Sequence, residues 1–339
     1  MHPPVPAHAV VDALRAYVGR AQAPARRYIL AVSGGPDSQA LLDGIGQLSG
    51  PLQIQALAVG IFHNLRPEAA EELGLAEALA QRHGLPFLRR DVHLPPRGNV
   101  MAQARAHRYR ALRQAAQAFG AEAILVAHTA DDQAETVLFH LTRGAGLRGA
   151  AGIPPRRGLI HRPLLHLSRQ SVLAHLSAHN VPYATDPTNL SLVRSRGLMR
   201  QQVLPALTGL NPQFVQHVAH FAARARADNA LLDKLARRAL ARALLQDDTL
   251  CLRAVRRAPR ALWPRLLRQW LRPFGVRPDG AALARLLAVL DAPDQPLSQG
   301  ALAGGVVRKR GARLQITPAH LLPARRAGTL PAGGPAAPF

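Results

Sequence analysis

Four apolar stretches, separated by glycine-bearing turns and amphipathic helical stretches, constrain this 339-residue chain more than any other feature. Strand-like runs lie near 28–32, 54–61, 86–92 and 123–127, with helical periodicity near 37–48, 67–83, 101–119 and 131–143. A helix that returns the chain to the start of the next strand makes neighbouring strands parallel and covers the sheet on both faces. The expected fold class is therefore α/β with a doubly wound parallel sheet. Ligands of such sheets sit beyond the strand C-terminal ends. Ser33 to Ser38 follows the first strand, His63 the second, and His128 to Asp132 the fourth, so these residues are expected to converge.

The run Tyr28-Ile29-Leu30-Ala31-Val32 leads into Ser33-Gly34-Gly35-Pro36-Asp37-Ser38 and then into the helical Gln39-Ala40-Leu41-Leu42. Paired glycines let the backbone approach a bound group, and the N–H groups that open the next helix suit phosphate. The loop has no lysine of the Walker kind and is not G-x-G-x-x-G, so it belongs to neither of those fingerprints. Ser33, Gly34, Gly35, Pro36, Asp37 and Ser38 read as a phosphate cradle, and the loop resembles the PP-loop of N-type ATP pyrophosphatases. That resemblance implies ATP, cleaved between its α and β phosphates. The local alternative is a strand-to-helix turn capped by serine or aspartate.

After the fourth strand the chain reads Ala127-His128-Thr129-Ala130-Asp131-Asp132-Gln133-Ala134-Glu135-Thr136. Thr129 can cap the following helix, and acids in a first turn are favourable there. Capping accounts for one acid but not for His128, Asp131, Asp132, Gln133 and Glu135 crowded into one helix opening. Helical spacing puts Glu135 beside Asp131 and Asp132, with Ala134, Val137, Leu138 and Leu141 as the expected buried stripe. Carboxylates facing a phosphate loop can hold Mg²⁺ together with substrate phosphates, or can receive an ammonium group.

Colinear with that segment are Arg143-Gly144-Ala145-Gly146-Leu147-Arg148-Gly149, the Gly152-Ile153-Pro154 turn, His63-Asn64-Leu65-Arg66, and Arg105 with Arg108-Tyr109-Arg110. Arg162-Pro163-Leu164-Leu165, Asp186-Pro187-Thr188-Asn189, and Arg196 to Arg200 ahead of Val203-Leu204-Pro205 complete the set. Together they resemble the bacterial tRNA(Ile)-lysidine synthetases over roughly residues 25–210. The resemblance implies ligation of free L-lysine to the wobble cytidine of an isoleucine tRNA with a CAU anticodon. ATP would first adenylate the cytidine, releasing pyrophosphate, and AMP would leave when lysine attacks. On the matching positions it implies that Ser33 to Ser38, His63 and Arg66 bind ATP and that Asp37 and Asp132 hold Mg²⁺. It also implies that Asp37, Asp132, His128 and Arg105 serve the chemistry, a carboxylate or His128 being the candidate base. Phe62 and Gly197 depart from the family pattern, which puts side-chain contacts from those two positions in question.

The formal charge of +23 favours a polyanionic partner, because each phosphate neutralised releases counterions. Only Lys234 and Lys309 are lysines, and the arginine, alanine and proline richness is partly a composition bias, so charge alone does not separate tRNA from DNA. Residues 1–211 read as the PP-loop catalytic domain. Past Asn211-Pro212 the pattern changes to alanine, leucine and arginine, so 212–321 reads as a smaller, mainly helical, basic tRNA-binding domain. Within it Gly304 to Ile316 is expected to form a hairpin turning near Arg310-Gly311, Trp263 and Trp270 to pack in its core, and 322–339 to be a disordered tail. The lone Cys251 supports neither a disulfide nor a cysteine-ligated cluster, which weighs against a tRNA thiolase of the same ATP-binding fold. An amide-forming ATP pyrophosphatase would not need the basic domain, and a non-catalytic nucleic-acid binder would not need both motifs intact. No apolar run reaches the ~18 residues of a membrane span, and MHPPVPAHAVVDALRAY lacks a signal-peptide pattern. The expectation is a cytoplasmic protein with no membrane partner, and a homodimer is left open.

Overall fold

The computed structural model describes residues 8–19, 26–62, 68–92, 100–184, 195–291, 298–302 and 305–318. Contacts divide the chain into two compact units, Met1–Ala227 and Asp228–Phe339. The first opens with α1 (Ala9–Gly19) and then alternates: β1 (Arg26–Val32), α2 (Pro36–Ser49), β2 (Ile54–Phe62), α3 (Glu68–Arg82), β3 (Phe87–Asp91), α4 (Val100–Phe119), β4 (Ala123–Leu125) and α5 (Ala130–Thr142). A short α6 (Leu147–Ala150), the two-residue strands β5 (Arg156–Arg157) and β6 (Ile160–His161), and α7 (Arg169–Ala178) follow. The unit continues through α8 (Ser195–Leu198), a π-helical turn (Met199–Val203) and α9 (Leu204–Leu210) into α10 (Phe214–Ala243), the helix in which the division falls.

The six-stranded sheet runs β3-β2-β1-β4-β6-β5. All its pairings are parallel except that of β5 with β6. Its strands carry the apolar runs seen in the sequence because a parallel sheet is covered on both faces. Tyr28, Leu30 and Val32 of β1 face one cluster with Leu41, Leu42 and Ile45 of α2. Ile29 faces the other, with Leu112 and Ala116 of α4 and Ile124 of β4. The four expected strands and four expected helices are all present. The buried stripe of α5 is shorter than its periodicity suggests, because Leu141 in the last turn is 48% exposed. His140 turns inward there instead, its Nδ1 meeting the Gly149 carbonyl at 2.9 Å.

The second unit is helical with one antiparallel sheet. α11 (Leu252–Arg256), α12 (Trp263–Leu271) and α13 (Gly280–Asp291) accompany β7 (Leu250–Cys251), β8 (Ser298–Leu302), β9 (Gly305–Arg310) and β10 (Arg313–Pro318), in the sheet order β7-β10-β9-β8. The basic hairpin is formed by β9 and β10, with Arg310 opposite Arg313 and Gly311 taking the left-handed conformation of the turn. Trp263 and Trp270 lie in this unit's core with Leu266, Leu267 and Leu286. Among the described residues no helix is long and apolar enough to cross a membrane. The proposed tail, 322–339, lies outside the described residues.

Leu30 is fully buried at the centre of the parallel sheet. Leu30→Ala should therefore lower the stability of this unit by about 2–5 kcal/mol through lost burial and the cavity left behind. Urea unfolding followed by circular dichroism would show this as a lower midpoint, and an unchanged midpoint would contradict the central placement of β1.

Candidate functional site

Pairing of β1 with β4 brings the two glycine- and acid-bearing turns side by side at the same sheet edge. At the first turn Gly34 has φ +78°, and a Cβ there would lie 2.0 Å from the Glu72 carbonyl oxygen of α3. Only glycine fits. Pro36 occupies the first turn of α2, where its missing N–H is no loss. Ser38 Oγ accepts from the Ser33 amide at 3.2 Å and donates to the Gly35 carbonyl at 2.9 Å, so the loop is closed by its own serine. The Gly34 carbonyl accepts from the Ala184 amide at 2.9 Å, tying the loop to the segment after α7.

Thr129, in an extended conformation, caps α5. Its amide donates to Asp132 Oδ2 at 2.9 Å, and its hydroxyl donates to the same oxygen at 3.3 Å. Asp132 is thus a structural acid as well as a candidate ligand, a double duty that capping logic alone did not assign to it. Asp131 Oδ2 accepts from the Arg169 amide at 2.6 Å. Gln133 points the other way, its side chain pairing with both the amide and the carbonyl of Ile153, and Gly152 at φ +56° leaves room for it. The Gly152-Ile153-Pro154 turn is held at the base of α5 in this way.

Two cations knit the carboxylates together. Arg200, from the π-helical turn, donates through Nε to Glu135 Oε1 at 2.5 Å and through Nη2 to Asp132 Oδ1 at 3.3 Å. Arg169, the first residue of α7, places Nη1 3.5 Å from Asp37 Oδ2. Sequence reasoning did not single out Arg169. Ser168, whose side chain accepts from the Ser171 amide, signals a helix start there, but nothing local says that the next residue points at Asp37. Arg200 lay within a quoted motif without a role. Asp131, Glu135, Arg169 and Arg200 line a cleft of about 610 Å³ with Ser33, Gly35, Pro36, Glu72, Thr129, Tyr183 and Gln201.

Electrostatically the cleft has a defined polarity. Burial, reinforced by the charge of Asp132, pushes the Asp37 carboxyl up to about 6, with Arg169 and Arg200 opposing. Its Oδ1 is buried with no hydrogen-bond partner. Burial also raises Asp131. For Arg200 burial opposes the charge, yet the bond to Glu135 and the charges of Asp132 and Asp37 prevail and raise it. An acceptor-only oxygen without a donor, in a carboxyl already short of compensation, fits a cation. The residues present therefore fit Mg²⁺ at Asp37 Oδ1. Asp132 fits less directly, since Oδ2 serves the cap and Oδ1 faces Arg200.

His128 stands apart from the carboxylates on its other side. Arg162 donates through Nε to His128 Nδ1 at 3.3 Å and through Nη1 to the Pro154 carbonyl at 2.9 Å. Burial, together with Arg162, Arg105 and Arg108, brings His128 down to about 4 against the opposing pull of Asp132. It is neutral at physiological pH, with its proton on Nε2. Arg105, exposed on α4, lies over the Tyr109 ring with its CZ 5.1 Å from the centroid. Phe62, one of the two departures from the family pattern, supports Arg89, whose CZ lies 4.2 Å above its ring. Gly197 lies in α8, just before the turn that carries Arg200. His63 and Arg66 lie outside the described residues, as does Asp186-Pro187-Thr188-Asn189.

Comparison with known proteins bears on both family and fold. Residues 8–207 match the PP-loop domain family. A tRNA(Ile)-lysidine synthase of Salinispora arenicola is 38% identical over 300 residues, covering 85% of this chain and 90% of that protein. One of Thermus thermophilus is 37% identical over 321 residues, covering 92% of this chain but 60% of the relative, so the chain spans about three-fifths of that relative's length. Among solved structures, a U34-tRNA thiolase of Methanococcus maripaludis aligns with TM-score 0.53 over 63% of this chain and 76% of that one. At 16% identity that likeness bears on the fold alone.

The raised Asp37 carboxyl generates a prediction with a defined sign. A carboxyl that titrates near 6 when folded but near 3.8 when unfolded takes up protons on folding between those values, so stability falls as pH rises through them. Asp37→Asn removes that burden. The ligand-free variant should be more stable than the parent above pH 6, by an amount on the order of 1–3 kcal/mol, and the difference should vanish as pH falls towards 4. Thermal unfolding across a pH series checks it, and parallel stability curves for parent and variant would contradict it.

Proposed function

The chain belongs to the tRNA(Ile)-lysidine synthase family of PP-loop proteins, and on that premise we propose that it ligates lysine to the wobble cytidine of a CAU-anticodon isoleucine tRNA at the expense of ATP. The observation that carries this reading is the cleft in which Ser33, Gly35 and Pro36 of the cradle meet Asp131 and Glu135, while Arg169 reaches Asp37 and Arg200 reaches Asp132 and Glu135. A bare nucleotide site needs the cradle but not the second carboxylate set. A reaction that brings a cationic amine to an activated base needs both.

The chemistry follows from the leaving group. A pyrimidine carbonyl oxygen does not depart at neutral pH, whereas the same oxygen bonded to the α-phosphate departs as AMP. In the proposed first step that oxygen attacks the α-phosphorus and pyrophosphate leaves. In the second the lysine ε-amine attacks the ring carbon and the bond to the adenylated oxygen breaks. The Gly34-Gly35 backbone and the two serines would orient the phosphate chain, with the start of α2 facing it. Mg²⁺, held at Asp37 and approached by Asp132, would supply neutralisation of phosphate charge. Arg105 and the Arg162–His128 pair would present positive and polar groups to developing negative charge. The amine must shed a proton, and a useful acceptor has a pKa not far from the working pH. On that ground Asp131, whose carboxyl is raised by burial and which is not assigned to the ion, suits the role better than His128. A tRNA substrate places this work in the cytoplasm.

The experiment is to incubate the protein with labelled lysine, ATP, Mg²⁺ and isoleucine tRNA transcripts carrying CAU or GAU. Label should enter only the CAU transcript, with AMP and pyrophosphate as the nucleotide products. Asp37→Asn and Asp132→Asn should each reduce transfer by about 10²-fold or more while the circular dichroism is retained, Asn at 132 keeping an acceptor for the cap. ADP and phosphate as the only products would overturn the reading.

Division of labour between residues 1–211 and 212–321 is part of the proposal, with the latter anchoring tRNA. Not every arginine there serves equally. Arg265 bonds Asp233 and Asn229, Arg256 bonds the Leu290 carbonyl, and Arg260 bonds Asp291, so these hold the unit itself together. Arg237, Arg238, Arg253, Arg257 and Arg268 are exposed. Replacing any one of these five should weaken CAU and GAU transcripts equally and lower the slope of log affinity against log salt by about one unit or less. Filter binding across a salt series reads this, and a selective loss for one transcript would contradict a purely electrostatic anchor.

A further inference from the structure

Away from the cleft, further along α2, a second polar cluster is buried inside the first unit. Asp43 is 1% exposed and its carboxylate gathers three N–H donors: His175 Nε2 at 2.8 Å and Gln47 Nε2 at 2.7 Å on Oδ2, and His83 Nε2 at 2.8 Å on Oδ1. Burial opposes its charge, but the bonds from His175, His83 and Gln47 outweigh it and hold the carboxyl well below the usual range. His179, the residue that caps the C-terminus of α7, stands one turn beyond His175, its ring centroid 4.5 Å away. Gly46 makes room for His83, since a Cβ there would lie within 2.7 Å of three atoms of that ring.

We propose that Asp43, His175 and His179 form a binding site for a divalent transition-metal ion of the zinc class, in which the ion clamps α2 to α7. One ligand atom from each of the three lies within 4.8 Å of the other two. Histidines at i and i+4 present their rings on one helix face, the spacing used by helical zinc sites. Two nitrogens and a carboxylate oxygen are the donor set that zinc prefers, with a fourth position left for water. Gln47 marks where the ion would sit. Its amide nitrogen bridges Asp43 Oδ2, at 2.7 Å, and His179 Nδ1, at 3.3 Å, so an electropositive group already occupies the space between two ligands. The other His179 nitrogen, Nε2, is buried and has no partner. Ligands on one tetrahedral zinc stand about 3.3 Å apart, so the Asp43–His175 pair would open by only about half an ångström.

Metal entry moves no electrons. The Nε2 proton of His175 shifts to the other ring nitrogen, Gln47 turns away, and the bound water completes the shell. The consequence is mechanical. α2 begins at the phosphate cradle and α7 begins with Arg169 beside Asp37, so a clamp between them steadies two walls of the cleft without touching substrate.

Cobalt(II) is the probe, because tetrahedral coordination gives intense visible bands that six-coordinate oxygen sites do not. Full-length, untagged protein stripped with chelator is titrated with Co²⁺ in millimolar Mg²⁺, which competes for the carboxylate cleft. One equivalent should bind with the tetrahedral signature and be displaced by Zn²⁺. His179→Gln, at a half-buried position that should tolerate the change, should weaken binding by about tenfold or more and lose the signature. Asp37→Asn should leave both unchanged, which separates this site from the cleft. Weak spectra of six-coordinate type, equal affinity in His179→Gln, or loss of the signature in Asp37→Asn would each overturn the proposal.

Discussion

Gathering four carboxylates where two helices open, α2 and α5, is the constraint on which the first unit turns. Asp37 comes from α2, while Asp131, Asp132 and Glu135 come from α5, and like charges in a partly dry cleft raise one another's proton affinity. Two arginines from elsewhere in the chain make the arrangement tolerable. Arg169 arrives on α7, and Arg200 arrives on a turn wound as a π-helix, Met199–Val203, a local re-registering of the kind that recurs at functional sites. Even so the balance is incomplete. Asp37 keeps an unpartnered oxygen and a raised carboxyl.

The same pairing explains which parts of the protein could be foreseen. Long buried strands and amphipathic helices announce themselves by periodicity, and β1 to β4 with α2 to α5 lie within a few residues of where that periodicity put them. β5 and β6 are two residues each, too short to carry any period, and their pairing depends on β4 being there first. The cradle and the α5 acids were legible because glycine, proline and a capped acid cluster are local necessities. Arg169 was not, because its importance lies in a contact with Asp37 across more than a hundred residues of chain. Leu141 shows the opposite failure, a periodic apolar residue in the last turn of α5 left 48% exposed.

Rigidity of the cradle has its own source. Gly34 sits against the Glu72 carbonyl so closely that no side chain fits, and the loop's next contacts run to Ser38 and Ala184 rather than to solvent. Gln39 of α2 adds a bond to the Pro182 carbonyl at 3.0 Å. The cradle is thus held by α3 and by the segment at 182–184 before any ligand arrives, and organisation already present in the fold is organisation that binding need not supply.

Net charge needs the same scrutiny as the motifs. A total of +23 suggests a surface uniformly attractive to nucleic acid, yet several arginines are already committed. Arg162 is 7% exposed between His128 and Pro154, Arg200 is held by Glu135 and Asp132, and Arg226 caps the Ala151 and Ile153 carbonyls. Arg265 is spent on Asp233 and Asn229. Such groups hold the fold together, and counterion release on binding a phosphate requires a cation that can reach it. A polyanionic partner would therefore meet only the exposed fraction of the charge, and the position of that fraction on the surface says more than the sum does.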